Sequence, residues 1–171
     1  MSRKLIPVEV IDPRKAQPVM PVLAIAADRR ITEFGFALEA LARLGRIIDR
    51  SLRDNAAISQ AFFEALLRIE RSGGSMTMGC LADQILITSG GVTRLVDRLA
   101  DHGYAERRPC ESDRRVQYVA ITDAGRQVLE RALEIHLGDL QREYFDRMSD
   151  HERTVLAEVL DRLRSPANDH S

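Results

Sequence analysis

Residues 81–125 read LADQILITSGGVTRLVDRLADHGYAERRPCESDRRVQYVAITDAG. The apolar spacing changes once within this stretch. Leu81 and Ile85 mark the buried side of a short helix at about Met78–Ile85. A second helix is predicted from Thr88 or Ser89, with Val92, Leu95, Val96 and Leu99 on one face. Gly103, directly after His102, is a C-terminal stop. The period then falls to two. Tyr104–Arg108 and Val116–Ile121 read as short strands around a polar connector, Pro109 to Asp113. Two helices joined by a tight turn and followed by a hairpin make a winged helix-turn-helix.

The flanks are helical. Phe34, Leu38, Leu41, Leu44, Ile48 and Leu52 form one apolar stripe. A helix carrying it is about 33 Å long, more than a small globule covers, so part of the stripe is expected to meet another chain. Ser59 caps a second helix, with Phe62, Leu66 and Ile69 beside Phe63 and Leu67, which Gly73-Gly74 ends. After the hairpin, Thr122 caps a helix whose stripe is Leu129, Leu133, Leu137, Leu140 and Tyr144. Ser149 and Glu152 form a capping box for a last helix, expected to bury Val155 or Leu156, Val159 and Leu163. Residues 1–30 hold four of the six prolines and read as an arm, with a short helix near Met20–Arg29. The expected organisation is an arm over 1–30, a domain over 31–164 and a flexible tail over 165–171. Within the domain, the winged helix-turn-helix spans about 58–122, between dimerisation helices at about 31–54 and 123–164. The fold class is mainly α with a small β-hairpin wing.

Composition narrows the function. With 25 Lys+Arg against 26 Asp+Glu the net charge is −1, so nucleic-acid binding has to come from a local basic patch. Aromatic residues make up 5% and Trp is absent, which disfavours single-strand stacking platforms. The longest apolar run, Pro18–Ala27, is too short to span a membrane. Arg3, Lys4 and Ala24-Ile25-Ala26 outline a signal peptide, but Glu9, Asp12, Pro18 and Pro21 interrupt it, so the protein is expected in the cytoplasm.

A recognition helix needs small or hydrogen-bonding residues on the exposed side of its N-terminal half, which enters the major groove. Thr88, Ser89, Gly90, Thr93 and Arg94 meet that need. Gly90-Gly91 costs about 1 kcal/mol per residue against Ala inside a helix, so the pair serves either a close backbone approach to DNA or a cap. Arg107, Arg108, Arg114 and Arg115 stand against Glu111 and Asp113 in the hairpin, leaving it net +2. An ordinary solvated turn and a DNA-contacting wing are both open on charge alone; the preceding helix pair favours the wing.

The stretch resembles the MarR (multiple antibiotic resistance regulator) family of bacterial transcription factors. The matching pieces are Leu81-Ala82, Val92-Thr93-Arg94-Leu95-Val96-Asp97-Arg98-Leu99, Gly103 and Arg107-Arg108-Pro109, followed by Asp113-Arg114-Arg115 and Ile121-Thr122-x-x-Gly125. The resemblance implies a homodimer on a pseudo-palindromic operator of double-stranded DNA, acting as a repressor. It implies that Arg115 enters the minor groove. It also implies that Asp113 orders the wing by pairing with Arg115 or with an arginine of the recognition helix, Arg98 among them. Relatives release DNA when a small, often aromatic or phenolic, anionic effector lodges between the dimerisation region and the winged helix. Phe62, Phe63, Arg43 and Arg46 are candidate lining residues, equally readable as core and surface charge.

Other classes fit less well. No GxSxG, GxGxxG, P-loop or HExxH motif is present, so no enzyme and no cofactor is expected. Cys80, Cys110 and the four histidines show no metal-ligand spacing, and no metal is expected. A thiol-based redox regulator using Cys80 or Cys110, and a winged helix serving protein–protein contact, are the alternative functions.

Overall fold

The computed structural model describes residues 22–85, 89–109, 113 and 116–164. The chain divides into two compact units, Met1–Ala42 and Arg43–Ser171.

The described part of the first unit holds α1 (Val22–Ala26) and the opening of α2 (Arg29–Ala56). Asp28 starts α2: its carboxylate accepts from the backbone N–H of Arg30 at 2.8 Å. The predicted stripe divides along the helix. Phe34, Leu38 and Leu41 are exposed, Leu44 is half-buried, and Ile48 and Leu52 are buried.

The second unit carries the rest of α2, then α3 (Gln60–Arg71), β1 (Ser75–Thr77), α4 (Met78–Gln84) and α5 (Ser89–Asp101). After these come β2 (Ala105–Pro109), β3 (Gln117–Ile121), α6 (Asp123–Glu143), a 3₁₀ turn at Phe145–Arg147 and α7 (Asp150–Arg164). The predicted caps are in place. Ser59 Oγ accepts from the Phe62 N–H, Thr122 Oγ1 from the Gly125 N–H, and Ser149 and Glu152 cap each other reciprocally. Gly73, Gly74 and Gly103 stop their helices with φ of 86°, 87° and 71°, which a side chain would disfavour.

Three strands pair antiparallel in the order β1-β3-β2. The two hairpin strands were expected; β1, whose Met76 faces Val119 of β3, was not. The core lies where α3 crosses the sheet and the helix pair. Phe63, Leu66, Ile69, Leu81, Val92, Val96, Leu99 and Val119 are each no more than 1% exposed. Each such side chain contributes about 1.5–3 kcal/mol of burial energy, which fixes the positions of α4 and α5 beneath the wing.

Two expectations need refining. Helix α6 buries Gly125, Val128, Leu129, Ala132 and Asp139. Of the predicted stripe, Leu129 is buried and Leu133, Leu140 and Tyr144 are half-buried, while Leu137 is 62% exposed. Helix α7 buries nothing within this chain: Leu156 and Val159 are half-buried, and Val155 and Leu163 are exposed.

Candidate nucleic-acid interface

Helix α5 has two faces. Val92, Leu95, Val96 and Leu99 are buried in the core. Gly90, Thr93, Arg94, Asp97 and Arg98 are exposed on the opposite side. A Cβ on Gly90 would meet nothing within 4 Å, so packing inside the chain does not require glycine there. Arg94 makes no ion pair among the described residues, which leaves its guanidinium available to solvent or ligand. The backbone of Ser89 opens the helix. Thr88 lies outside the described residues.

The wing begins at β2. Its single buried residue is Ala105; Glu106, Arg107, Arg108 and Pro109 are exposed. Neighbouring arginines point to opposite faces. Arg108 Nε donates to Glu106 Oε1 at 2.9 Å, on the side away from α5. Arg107 turns toward α5: its Nη2 lies 2.6 Å from Asp97 Oδ1 and donates to the Thr93 carbonyl at 3.3 Å. Asp113 is exposed, and its carbonyl accepts from the Val116 N–H at 3.0 Å as the chain turns into β3. Arg114, Arg115 and Cys110 lie outside the described residues.

Arg98 packs against α3. Its guanidinium lies over the Phe62 ring, 5.1 Å from the centroid, and the His102 ring meets the same phenylalanine edge-on at 5.3 Å. Sequence reasoning counted Arg107 among the hairpin charges but did not foresee its contacts with Asp97 and Thr93.

A second polar site lies between α2 and α6. Arg43, Arg46, Arg50 and Arg142 surround a cavity of about 490 Å³, together with Ile47, Ser51, Asp54 and Asp139. Asp139 is 1% exposed; Arg142 donates to one of its oxygens and the other, Oδ2, has no partner. Arg43 bonds Glu143 at 3.0 Å and holds that carboxyl below its ordinary range. Phe62 and Phe63 are core residues and do not line this cavity. The ring of Phe63 lies 4.7 Å from that of His136, whose pKa burial pushes down. Among the described residues no group of three or more His, Cys, Asp or Glu could hold a metal ion. No described helix is long and apolar enough to cross a membrane.

The sequence profile of the MarR family matches residues 62–116, from α3 into the wing. A crystal structure of Sco3205, a MarR family transcriptional regulator from Streptomyces coelicolor, in complex with DNA, superposes with a TM-score of 0.75. It is 26% identical and covers 84% of this chain and 95% of its own. Over this stretch the chain is similar to the MarR family. A variant of MarR from Escherichia coli, complexed with operator DNA, superposes with a TM-score of 0.67 at 25% identity, covering 81% of this chain and 100% of its own. The HTH-type transcriptional regulator PecS of Dickeya dadantii is 28% identical over 128 residues, 72% of this chain and 76% of PecS. These similarities agree with the winged helix-turn-helix described above, and the proteins compared are transcriptional regulators rather than enzymes.

Proposed function

We propose that this chain is a MarR-type transcriptional regulator that binds a pseudo-palindromic operator as a homodimer in the cytoplasm, with α5 in the major groove and the wing over the minor groove, and represses by occlusion. One observation carries the reading. The exposed face of α5 offers Gly90, Thr93 and Arg94, while its other face is fully used by the core. Base edges in the major groove are read by this kind of hydroxyl and guanidinium. Ser89, Thr88, Arg114 and Arg115 join the interface in this reading, and Asp113 orders the wing.

The test uses duplexes selected by the protein from a random pool, against a scrambled duplex. Thr93→Ala and Arg94→Ala should each cost about 1–3 kcal/mol on the selected duplex. Equal losses on both duplexes, with a salt slope lowered by about one, would make Arg94 a phosphate contact instead. A wild-type protein that shifts no DNA would favour the protein–protein alternative.

Response to an effector is part of the proposal. The arginine-rich cavity between α2 and α6 suits a small anion, and an aromatic carboxylate of the size of salicylate is the probe. It should raise Tm in the wild type and not in Arg46→Ala/Arg50→Ala.

A further inference from the structure

We propose that Arg107 is a positioning residue for DNA recognition: it ties β2 to the turn of α5 that carries Thr93 and Arg94, and so sets the spacing between recognition helix and wing. The inference rests on the DNA-binding reading above.

Its geometry is specific. One guanidinium nitrogen reaches two acceptors one helical turn apart on α5, the Asp97 carboxylate at 2.6 Å and the Thr93 carbonyl at 3.3 Å. Strand alternation makes the reach necessary. Ala105 faces the core opposite Ile121, and Arg107, two residues on and opposite Val119, shares that face. Arg108, on the other face, is already engaged by Glu106.

Packing holds only the start of β2, where Ala105 is buried in the core beside α5. Further along lies a cleft of about 510 Å³, bounded by Thr77, Met78, Thr93, Arg107, Val116 and Gln117. At the edge of that cleft the ionic bridge ties β2 to α5 beyond the reach of the packed end. Arg107 is also poorly placed to serve a phosphate, because DNA would first have to displace Asp97. An exposed pair of this kind adds little to global stability, so its effect is expected in recognition rather than in folding.

A double-mutant cycle in the full chain tests this, using Arg107→Gln, Asp97→Asn and the double variant. Affinities are measured on the selected duplex and on its scrambled counterpart at two salt concentrations. Each single variant should lower the selected-to-scrambled affinity ratio about tenfold, with the salt slope unchanged, and the double variant should be no worse than the poorer single. Uniform weakening by Arg107→Gln, with a slope lower by about one, would make it a phosphate contact and overturn the proposal. Tighter binding of both duplexes by Asp97→Asn would overturn it too, since a purely electrostatic surface gains from losing that carboxylate. A readout without DNA separates this idea from the reading it rests on. Amide exchange over 105–109 and 117–121 should quicken in both single variants, and unchanged exchange overturns the clamp. If the wild type prefers neither duplex, the DNA reading falls and the exchange result alone decides the clamp.

Discussion

Gly125 sits directly against the carbonyl of Tyr104. A Cβ at position 125 would lie 2.0 Å from that oxygen and 2.8 Å from Ile121 Cγ1. Thr122 completes the joint, donating to the Gly103 carbonyl at 2.6 Å and accepting from the Gly125 N–H at 3.0 Å. The Ile-Thr-x-x-Gly signature is thus a docking device, seating the first turn of α6 on the turn between α5 and the wing. Two effects oppose each other in Gly125→Ala. Helix propensity favours alanine by about 1 kcal/mol. Overpacking costs about 1–3 kcal/mol, occasionally more, and here the obstacle is backbone rather than a flexible side-chain tip. The clash should win, lowering Tm by several degrees in thermal denaturation. An unchanged Tm would mean that α6 stands further off.

The wing arginines should differ. Arg108 is already engaged by Glu106, so Arg108→Ala should change operator affinity little. Arg115→Ala should cost more, most of all on operators with A·T-rich flanks, where a narrow minor groove attracts arginine. Asp113→Ala should weaken binding although it removes a negative charge, because loss of wing order outweighs the electrostatic gain. Titration of labelled operator at two salt concentrations reads the sign; tighter binding at both would end the ordered-wing hypothesis.

Assembly can be tested without unfolding the chain. Leu163 is 77% exposed and Leu160 is 42% exposed, so a charge at Leu163 disturbs no packing within one molecule. Sedimentation should give twice 19.2 kDa for the wild type at micromolar concentration and 19.2 kDa for Leu163→Glu, with helicity intact. A wild-type chain that sediments as a folded monomer would sink the homodimer.

His136 predicts a pH dependence of stability. Burial against Phe63 lowers its pKa, only partly offset by the charges of Glu64 and Asp139. The unfolded chain therefore binds the proton more readily than the folded one. The stability that follows is fully present above about pH 6.5 and is lost as pH falls from there toward the folded pKa. Tm should drop between pH 7.5 and 5.5 in the wild type and drop less in His136→Gln. The carboxyls of Asp49, Glu143 and Glu152, all shifted downward, titrate below this window. Parallel pH profiles for both proteins would remove His136 as the cause.

The caps and the recognition helix were readable because their signals are local. Ser59, Thr122 and the Ser149/Glu152 pair each act within three residues of where they stand. The two-faced pattern of α5 survives folding because the core claims all four of its apolar positions. The third strand was not readable: three residues show no period, and its partner Ala120 lies far along the chain from Ser75. The face of α6 was read in part: Leu129 is buried, Leu133 and Leu140 are half-buried against the core, and Leu137 alone of these leucines is exposed, while the close approach at Gly125 and Ala132 left no hydrophobic signal to read. Helix α7 was expected to bury its apolar side, but among the described residues Leu163 stays 77% exposed. In the candidate interface, the helix pattern put Thr93 and Arg94 on the outer face of α5, and both are exposed there. The use of Arg107 by Asp97 depends on how β2 crosses α5, which no spacing in the sequence encodes.

The β1-β3-β2 order sets a timetable for synthesis. Ser75 to Thr77 leave the ribosome before α4 and α5, yet their partners are Ala120 to Tyr118 in the last strand made. Until Ile121 has emerged, β1 has an open edge and α3 lacks the sheet it covers. The nascent recognition helix is therefore present before the lobe that orients it can close. Synthesis that pauses between residues 101 and 121 leaves an apolar face and an unpaired strand exposed together, the combination that invites aggregation. The lobe that carries α5 is thus completed late and in one step, when a five-residue strand slots between two others.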